Sequence, residues 1–347
     1  MYDINGRTIL GYDIGGNQFS TASMSGERPH NETSYSLNVQ YGTNIDDSYT
    51  AFKESFAQHP TAIPFFLQSD QHGSGMQLTR YINYLDARDK LDLIKFQLGD
   101  WCADTYSTGF MDILQTQAKK VNGFISVPGN HDYKGFDYSS ASDHDLIKKS
   151  FTQDASWFGC KWLNTEFQCY TAVDVPRNLK MIVVDPYDHR GVISSMPHPW
   201  YNSTVVSWLI NELTNDNGFD LMYVQHEPIF EEYYTVENPD TPTQNAEGYA
   251  KDIRPLIVAR KNKTSGTFTD KEGITHSYDF THCEGDLLMS IHGHIHAEWW
   301  DTHDFTEFTC PNGYAGTFGL IDRDTNLLRV WVFSYNFIRP EHDIALI

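Results

Sequence analysis

The stretch LLMSIHGHIH, from Leu287 to His296, places a short apolar run directly before a turn rich in histidine. The same arrangement recurs earlier in the chain, where apolar runs end in acidic, amide or imidazole side chains. These runs and the residues that follow them are Ile63 to Gln68 before Asp70-Gln71-His72, Asp92 to Leu98 before Gly99-Asp100, Gly123 to Val127 before Gly129-Asn130-His131, and Phe219 to Val224 before His226. Short apolar runs bounded by turns are typical of buried strands, so the pattern predicts strands whose ends carry polar residues.

Segments that read as helices separate several of these strands. They are Gln77 to Lys90, Gly109 to Lys120 and Ser203 to Leu213. Further strands are predicted at Leu179 to Val184, Phe318 to Asp322 and Leu327 to Phe333, the last two as a closing hairpin. Apolar strands that alternate with helices indicate an α/β protein whose sheet is covered on both faces.

Residues 1–62 differ from the rest of the chain because they are rich in Gly, Asn, Ser and Thr. Their short alternating stretches predict a small β-rich N-terminal extension. One helix is predicted within it, over Asp46 to Gln58, because Phe52 and Phe56 are four residues apart and share a helical face.

The remainder, residues 63–347, is predicted to form one α/β domain with insertions near 133–167 and 231–285. The second insertion contains a local basic segment in an otherwise acidic chain. Its basic residues are Arg254, Arg260, Lys261 and Lys263. Two interpretations stay open for this segment, namely contact with a negatively charged ligand or a solvated helix end.

The polar residues at the strand ends form one candidate site. In α/β sheets, sites gather beyond the carboxyl ends of strands, so residues distant in sequence converge there. Mixed imidazole and carboxylate ligands suit first-row metals such as Mn, Fe and Zn. A lone histidine such as His226 is often structural, but the order and shared position of the fragments favour a common metal site. His292, which precedes the Gly-His-x-His turn, is interpreted as structural. Glycines before Asp100, Asn130 and His294 allow tight turns.

In these motifs and in their order, the sequence resembles the calcineurin-like metallophosphoesterases, from about Ile63 to the C-terminus. The resemblance implies a four-layer α/β/β/α sandwich with a two-sheet core and two divalent transition-metal ions, with Mn, Fe and Zn as candidates. The residues implied are Asp70, His72 and His296 for one metal, Asn130, His226 and His294 for the second, Asp100 bridging both, and His131 beside the substrate as general acid.

The activity implied by the resemblance is hydrolysis of a phosphodiester or phosphomonoester by a hydroxide that bridges the two metals. The chain departs from two branches of the family. Ala103 stands where purple acid phosphatases carry a metal-binding tyrosine, and Asp132 stands where Ser/Thr protein phosphatases carry a glutamate. The resemblance is therefore closer to the bacterial and phage branch, with a small phosphate ester as the expected substrate.

Two alternatives stay open at this stage. The first is a nuclease of the same family, and the second is a phage-associated binding or structural module that retains the fold without turnover. The chain carries 46 Asp+Glu against 25 Lys+Arg, a formal net charge of −21. Because affinity for duplex nucleic acid depends on Lys and Arg, this charge argues against duplex DNA as a substrate.

Composition also indicates in which cellular compartment we expect the protein. The longest apolar runs fall far short of the ~18 residues that cross a bilayer, and residues 1–25 do not resemble a secretory signal. The five cysteines are scattered without a CxxC pair, which argues against a disulfide framework and a cysteine zinc site. We therefore expect a cytoplasmic location and no membrane insertion.

Overall fold

The computed structural model describes residues 29–72, 81, 84–85, 92–101, 125–133, 161–162, 169–187, 199–230, 251–311, 315–334 and 342–347. The predicted helix Gly109 to Lys120 lies outside these residues. Only Tyr81, Tyr84 and Leu85 of the predicted helix Gln77 to Lys90 lie within them, and all three are helical. Most of the first insertion, near 133–167, is also outside.

Three α-helices and fifteen strands have both ends in the described part of the chain. The helices are α1 (Pro29–Gln58), α2 (Ser203–Thr214) and α3 (Arg254–Lys261). The strands are β1 (Ile63–Gln68), β2 (Ile94–Gln97), β3 (Ile125–Ser126), β4 (Lys161–Trp162), β5 (Tyr170–Asp174), β6 (Leu179–Val183), β7 (Asp220–Val224), β8 (Ser265–Thr269), β9 (Thr275–Asp279), β10 (Leu287–His292), β11 (Trp299–Asp301), β12 (Glu307–Thr309), β13 (Ala315–Asp322), β14 (Leu327–Ser334) and β15 (His342–Ala345).

Two mixed sheets contain all of these strands except the separate hairpin β8–β9. The first sheet has the order β15-β14-β13-β1-β2-β3, and the second has the order β11-β12-β10-β7-β6-β5-β4. The strands that precede the candidate site residues run parallel, since β1 pairs with β2, β2 with β3, and β7 with β10 in this sense. Their carboxyl ends therefore point to the same edge of each sheet.

The two sheets pack face to face around one apolar core. Phe65 and Phe96 of the first sheet belong to the same buried cluster as Met181, Met222 and Met289 of the second. In each strand, alternate residues point to opposite faces. The inner faces of both sheets therefore form the centre of the protein.

Helices cover the two outer faces. On the second sheet, Ile182 and Tyr223 pack with Val206 of α2 and Ile257 of α3 in another buried cluster. On the first sheet, α1 packs against β13 and β14. The structure thus confirms the four-layer α/β/β/α sandwich with a two-sheet core.

No helix within the described ranges combines the length and apolar character that a membrane span requires.

The prediction of a β-rich N-terminal extension is wrong for residues 29–58, which form the single helix α1. The predicted helix Asp46 to Gln58 is confirmed, and it begins earlier than predicted. The reason is tertiary packing, because Phe52 lies on the first sheet with its ring centroid 5.3 Å from that of Phe318 and 5.5 Å from that of Trp331. Such packing outweighs weak local propensity. Residues 1–28 lie outside the described part, and a domain boundary near residue 62 stays a prediction.

Candidate metal centre

All eight candidate residues follow the carboxyl ends of strands. They are Asp70 and His72 after β1, Asp100 after β2, Asn130 and His131 on the 3₁₀ helix Asn130–Tyr133 after β3, His226 after β7, and His294 and His296 after β10. The turns after β1, β2 and β3 belong to the first sheet, and those after β7 and β10 belong to the second. The site therefore lies where the two sheets meet.

One group of side chains brings together Asp70, His72, Asp100 and His296, whose ligand atoms all lie within 4.8 Å of one another. His296 Nε2 lies 3.3 Å from Asp70 Oδ1, and His72 Nε2 lies 3.9 Å from Asp100 Oδ2. The two imidazole nitrogens, His72 Nε2 and His296 Nε2, face each other at 2.8 Å. Carboxylates and ring nitrogens thus converge on one point.

A second group brings together Asp100, His226 and His294 within the same 4.8 Å limit. His226 Nε2 lies 3.4 Å from Asp100 Oδ2 and 3.2 Å from Asn130 Oδ1. Asp100 belongs to both groups, so its carboxylate stands between them. His294 and His296 are separated by one residue but belong to different groups, which allows a His-x-His turn to serve two ions.

His131 lies beside these groups and is partly open to solvent. Its Nε2 is 3.9 Å from Asp100 Oδ2, and 25% of its side chain is exposed. Its ring contacts that of His72 edge to face, with 4.5 Å between the ring centroids. An accessible imidazole beside a buried cluster can exchange a proton with a bound molecule.

Backbone hydrogen bonds join the turns to one another. The amide of Asp70 donates to the carbonyl of Gly99 (3.0 Å), and the amide of Gly293 donates to the carbonyl of His226 (2.9 Å). Asp70 also links the two sheets, because its Oδ2 accepts the amide of His294 at 3.0 Å. The strand ends are therefore fixed relative to each other before any ligand binds.

The backbone adopts the left-handed region at five of the seven positions predicted as metal ligands. These positions and their φ values are Asp70 (55°), His72 (45°), Asp100 (54°), His294 (71°) and His296 (57°). This region is uncommon for residues other than glycine, although Asp and His occur there more often than most. Each such residue costs on the order of 1 kcal/mol and persists only where its surroundings hold it.

Two glycines fit the site for different reasons. Gly99 has a φ of 94°, which confirms the predicted tight turn before Asp100, and a Cβ there would lie 2.4 Å from His226 Nδ1. Gly129 instead provides space, because a Cβ at this position would lie 2.2 Å from Asp100 Oδ1 and 2.8 Å from His226 Nε2. Any side chain at Gly99 or Gly129 would displace the residues that form the site.

The charges of the site follow from burial and from its neighbours. Burial alone would raise the pKa of Asp100, but the nearby His226 imidazole lowers this pKa well below its usual range. For His226, burial acts to lower the pKa, yet Asp100 outweighs it and raises the pKa to about 10. Burial, reinforced by the charge of His226, lowers the pKa of His294 to about 4. Near neutral pH, the Asp100 carboxylate is therefore charged and the His294 imidazole is neutral.

These features fit bound transition metals. Asp70 Oδ1 is buried, and its contact with His296 Nε2 at 3.3 Å is not a well-directed hydrogen bond. Burial also lowers the pKa of His72, which favours its neutral ring, while the adjacent Asp70 carboxylate raises the pKa of His296. Neutral imidazole and charged carboxylate are the forms in which these side chains bind metals. A cation between them would satisfy both groups.

A buried carboxylate behind the site joins two of its turns. Glu307 Oε1 accepts the amide of Ile229 (2.8 Å), which follows the turn of His226, and lies 3.1 Å from His292 Nε2 on β10. Its Oε2 lies 3.1 Å from Arg254 Nη1 of α3. His292 is thus a buried structural residue, as interpreted from the sequence.

The basic segment of the second insertion is largely internal. Arg254 pairs with Glu307, and Arg260 is fully buried, where it donates to Asp216 Oδ2 and to the carbonyl of Gly285. For Arg254 and Arg260, both interpretations left open by the sequence, ligand contact and a solvated helix end, are wrong. Their charges are needed to neutralise buried acids.

Replacing Glu307 by Ala is expected to lower the free energy of unfolding by about 3 kcal/mol, because buried Arg254 then loses its buried partner and keeps only the more exposed Asp301 and Asp304. Urea unfolding followed by circular dichroism measures the change. Asp343→Ala is the control, since Asp343 pairs with Arg329 at the surface and its loss should cost less than about 1 kcal/mol. Equal effects of the two substitutions would contradict a supporting role for Glu307.

Comparison with known proteins gives only distant likenesses. No family model and no curated protein matches the sequence. Among solved structures, TT1561 of Thermus thermophilus is 9% identical with a TM-score of 0.43, over 79% of this chain and 99% of that one. A conserved uncharacterized protein of Streptococcus pneumoniae, described as a predicted phosphoesterase, is 10% identical with a TM-score of 0.32, over 82% and 98% of the two chains. The residues of this chain must therefore carry any functional conclusion.

Proposed function

We propose that this protein is a metal-dependent phosphoesterase of the calcineurin-like type, a hydrolase that acts on small phosphate esters. The observation that carries the proposal is the position of Asp100, whose carboxylate belongs to both clusters of ligand atoms. One shared carboxylate between two sets of mixed ligands is the arrangement expected for a pair of transition-metal ions.

The residues divide into two ligand sets under this proposal. Asp70, His72 and His296 would hold one ion, Asn130, His226 and His294 would hold the other, and Asp100 would contribute to both. When bound, such ions lower the pKa of coordinated water and neutralise the charge of a phosphoryl group.

The protein itself would supply orientation and a proton. His131 is the partly exposed imidazole beside the cluster, so we assign it the transfer of a proton from its ring to the oxygen of the leaving group. Its Nε2 lies 3.9 Å from Oδ2 of Asp100, the carboxylate that belongs to both ligand groups, so the ring stands next to the proposed metal pair. The site then combines charge neutralisation with general acid catalysis.

The proposal is tested by removing and restoring metal. Protein stripped with a chelator and reconstituted with Mn, Fe or Zn should bind close to two ions per chain and hydrolyse at least one model substrate. The substrates are a bis-phosphodiester, a phosphomonoester, and 2′,3′- and 3′,5′-cyclic nucleotides. Chelator should abolish the activity and added metal should restore it.

The controls separate a metal requirement from damage by the chelator. Circular dichroism before and after chelation should show the same fold, and Mg or Ca alone should restore less activity, because imidazole suits first-row transition metals better. Protein that binds no transition metal, with activity unaffected by chelator, would contradict the proposal.

A further inference from the structure

A buried aspartate outside the metal clusters is connected to the helix that carries His131. Asp185 follows β6, which pairs with β7, the strand that precedes His226. Asp185 is 1% exposed. The hydroxyl of Tyr133 donates to its Oδ2, and the amide of Tyr187 donates to its Oδ1 at 3.1 Å. The Asp185 amide also donates to Cys169 Sγ (3.3 Å), so the backbone on which the carboxylate stands is fixed.

Tyr133 is the last residue of the 3₁₀ helix that bears Asn130 and His131. It is fully buried, and its ring packs edge to face against that of Tyr187 with 5.1 Å between the centroids. Its hydroxyl therefore links the end of this helix to a carboxylate on the other sheet.

The N-terminal end of this 3₁₀ helix is held by hydrogen bonds to side chains in and beside the candidate metal centre. The amide of His131 donates to Asp100 Oδ1 (2.9 Å), and Asp132 Oδ2 accepts the amide of Gly129 at 2.8 Å. A 3₁₀ helix of one turn has poor hydrogen-bond geometry and little stability of its own. The direction of the His131 ring thus depends on the contacts at both ends of the helix.

We propose that Asp185 and Tyr133 are positioning residues, which hold the His131 imidazole in the orientation needed for proton donation. Neither residue touches the substrate in this role. The inference rests on the proposed function, because it assumes that His131 protonates a leaving group. Misplacement of a reacting group by about 1 Å can cost on the order of 10²-fold in rate, so loss of one such contact has a measurable effect.

The test compares two leaving groups in two conservative variants. Tyr133→Phe removes only the hydroxyl, and Asp185→Asn keeps the shape of the acceptor but removes its charge. Each variant should lose about 10-fold to 10²-fold in kcat on a methyl or other alkyl phosphate ester, which needs a proton on its leaving oxygen. Each should retain most activity on a p-nitrophenyl ester, whose leaving group departs unprotonated. Metal content, measured by elemental analysis, should remain that of the unmodified protein.

A double variant and a matched control sharpen the result. Tyr133→Phe combined with Asp185→Asn should be no worse than either single variant, because both substitutions act on the same contact. Tyr84→Phe is the control, since the hydroxyl of Tyr84 also donates to an aspartate, Asp46 Oδ1 at 2.9 Å, but on the outer layer of α1. It should leave the ratio of the two activities unchanged.

His131→Ala, measured in parallel, distinguishes failure of this inference from failure of the proposed function. If His131→Ala discriminates between the leaving groups and Tyr133→Phe does not, the positioning role is overturned and the acid assignment stands. If His131→Ala itself does not discriminate, both the acid assignment and the positioning role are overturned. Equal loss on both esters, or loss of metal, in Tyr133→Phe would likewise overturn the positioning role.

Discussion

Asp100→Ala should remove both metals at once and reduce phosphoesterase activity by on the order of 10³-fold or more. The shared carboxylate belongs to both ligand clusters, and its Oδ1 also accepts the amide of His131, so one substitution disturbs the whole site. Metal ions supply several kcal/mol of transition-state stabilisation in such reactions, which corresponds to a loss of this size. Elemental analysis after reconstitution, combined with kcat on a p-nitrophenyl ester, measures both effects.

Two further variants identify the cause of that loss. Asp100→Asn preserves the shape of the side chain but not its charge, and it should also bind less than one metal per chain. Asp322→Ala replaces another buried aspartate, one that pairs with His59 on the first sheet away from the site, and it should retain metal. An Asp100→Ala protein that keeps one tightly bound metal would show that the carboxylate is not shared.

His131→Ala should retain near-normal metal content while losing activity in a way that depends on the leaving group. A general acid contributes about 10² to 10⁴-fold, and it contributes most when the leaving oxygen needs a proton. We therefore expect a loss in that range on an alkyl ester and a much smaller loss on p-nitrophenyl esters. Steady-state kinetics on the two substrate types gives the ratio.

The contrary result for this variant is also specific. If His131→Ala loses one metal and is equally impaired on both kinds of ester, His131 is a ligand and not the proton donor. His292→Ala is the matched control, because His292 is a buried histidine at the end of β10 that pairs with Glu307. We expect this substitution to lower the free energy of unfolding and to leave the ratio of the activities on alkyl and p-nitrophenyl esters nearly unchanged.

The strands of the core can be predicted from the sequence because they are short, apolar and bounded by turns. The predicted strand Ile63–Gln68 has the bounds of β1, and β6 and β7 differ from prediction by one residue at one end. Among the strands that the pattern misses, β8 and β9 are largely exposed, whereas β5 and β12 are buried. Their pairing depends on distant partners, which no local pattern records.

The candidate site is visible in the sequence because each of its residues follows a buried strand. Glu307, behind the site, is not visible because it is an acid without a motif, and Asp185 is marked in the sequence only by its position at the end of a predicted strand. The importance of both comes from burial beside particular partners. Glu307 begins the short strand β12, whose sequence Glu-Phe-Thr gives no sign of an internal ion pair. Its partner Arg254 cannot be assigned from sequence, because the pair is 53 residues apart.

The N-terminal helix is a different case. Its apolar residues Ile45, Tyr49 and Phe52 repeat at helical spacing, but the segment around them is rich in residues that favour turns. Packing on Phe318 and Trp331 supplies the stability that composition does not. A local stretch of sequence contains only one of the two partners in that contact.

The left-handed backbone at five of the proposed ligand positions means that stability and the proposed activity make opposing demands on these residues. Glycine or asparagine would occupy those conformations more easily than the aspartates and histidines found there. An engineering campaign that selects variants for heat resistance alone would therefore accumulate such replacements at the strand ends and return robust but inert proteins. A screen for improved variants has to score turnover in the same round, because these strained positions are the ones that the proposed chemistry requires.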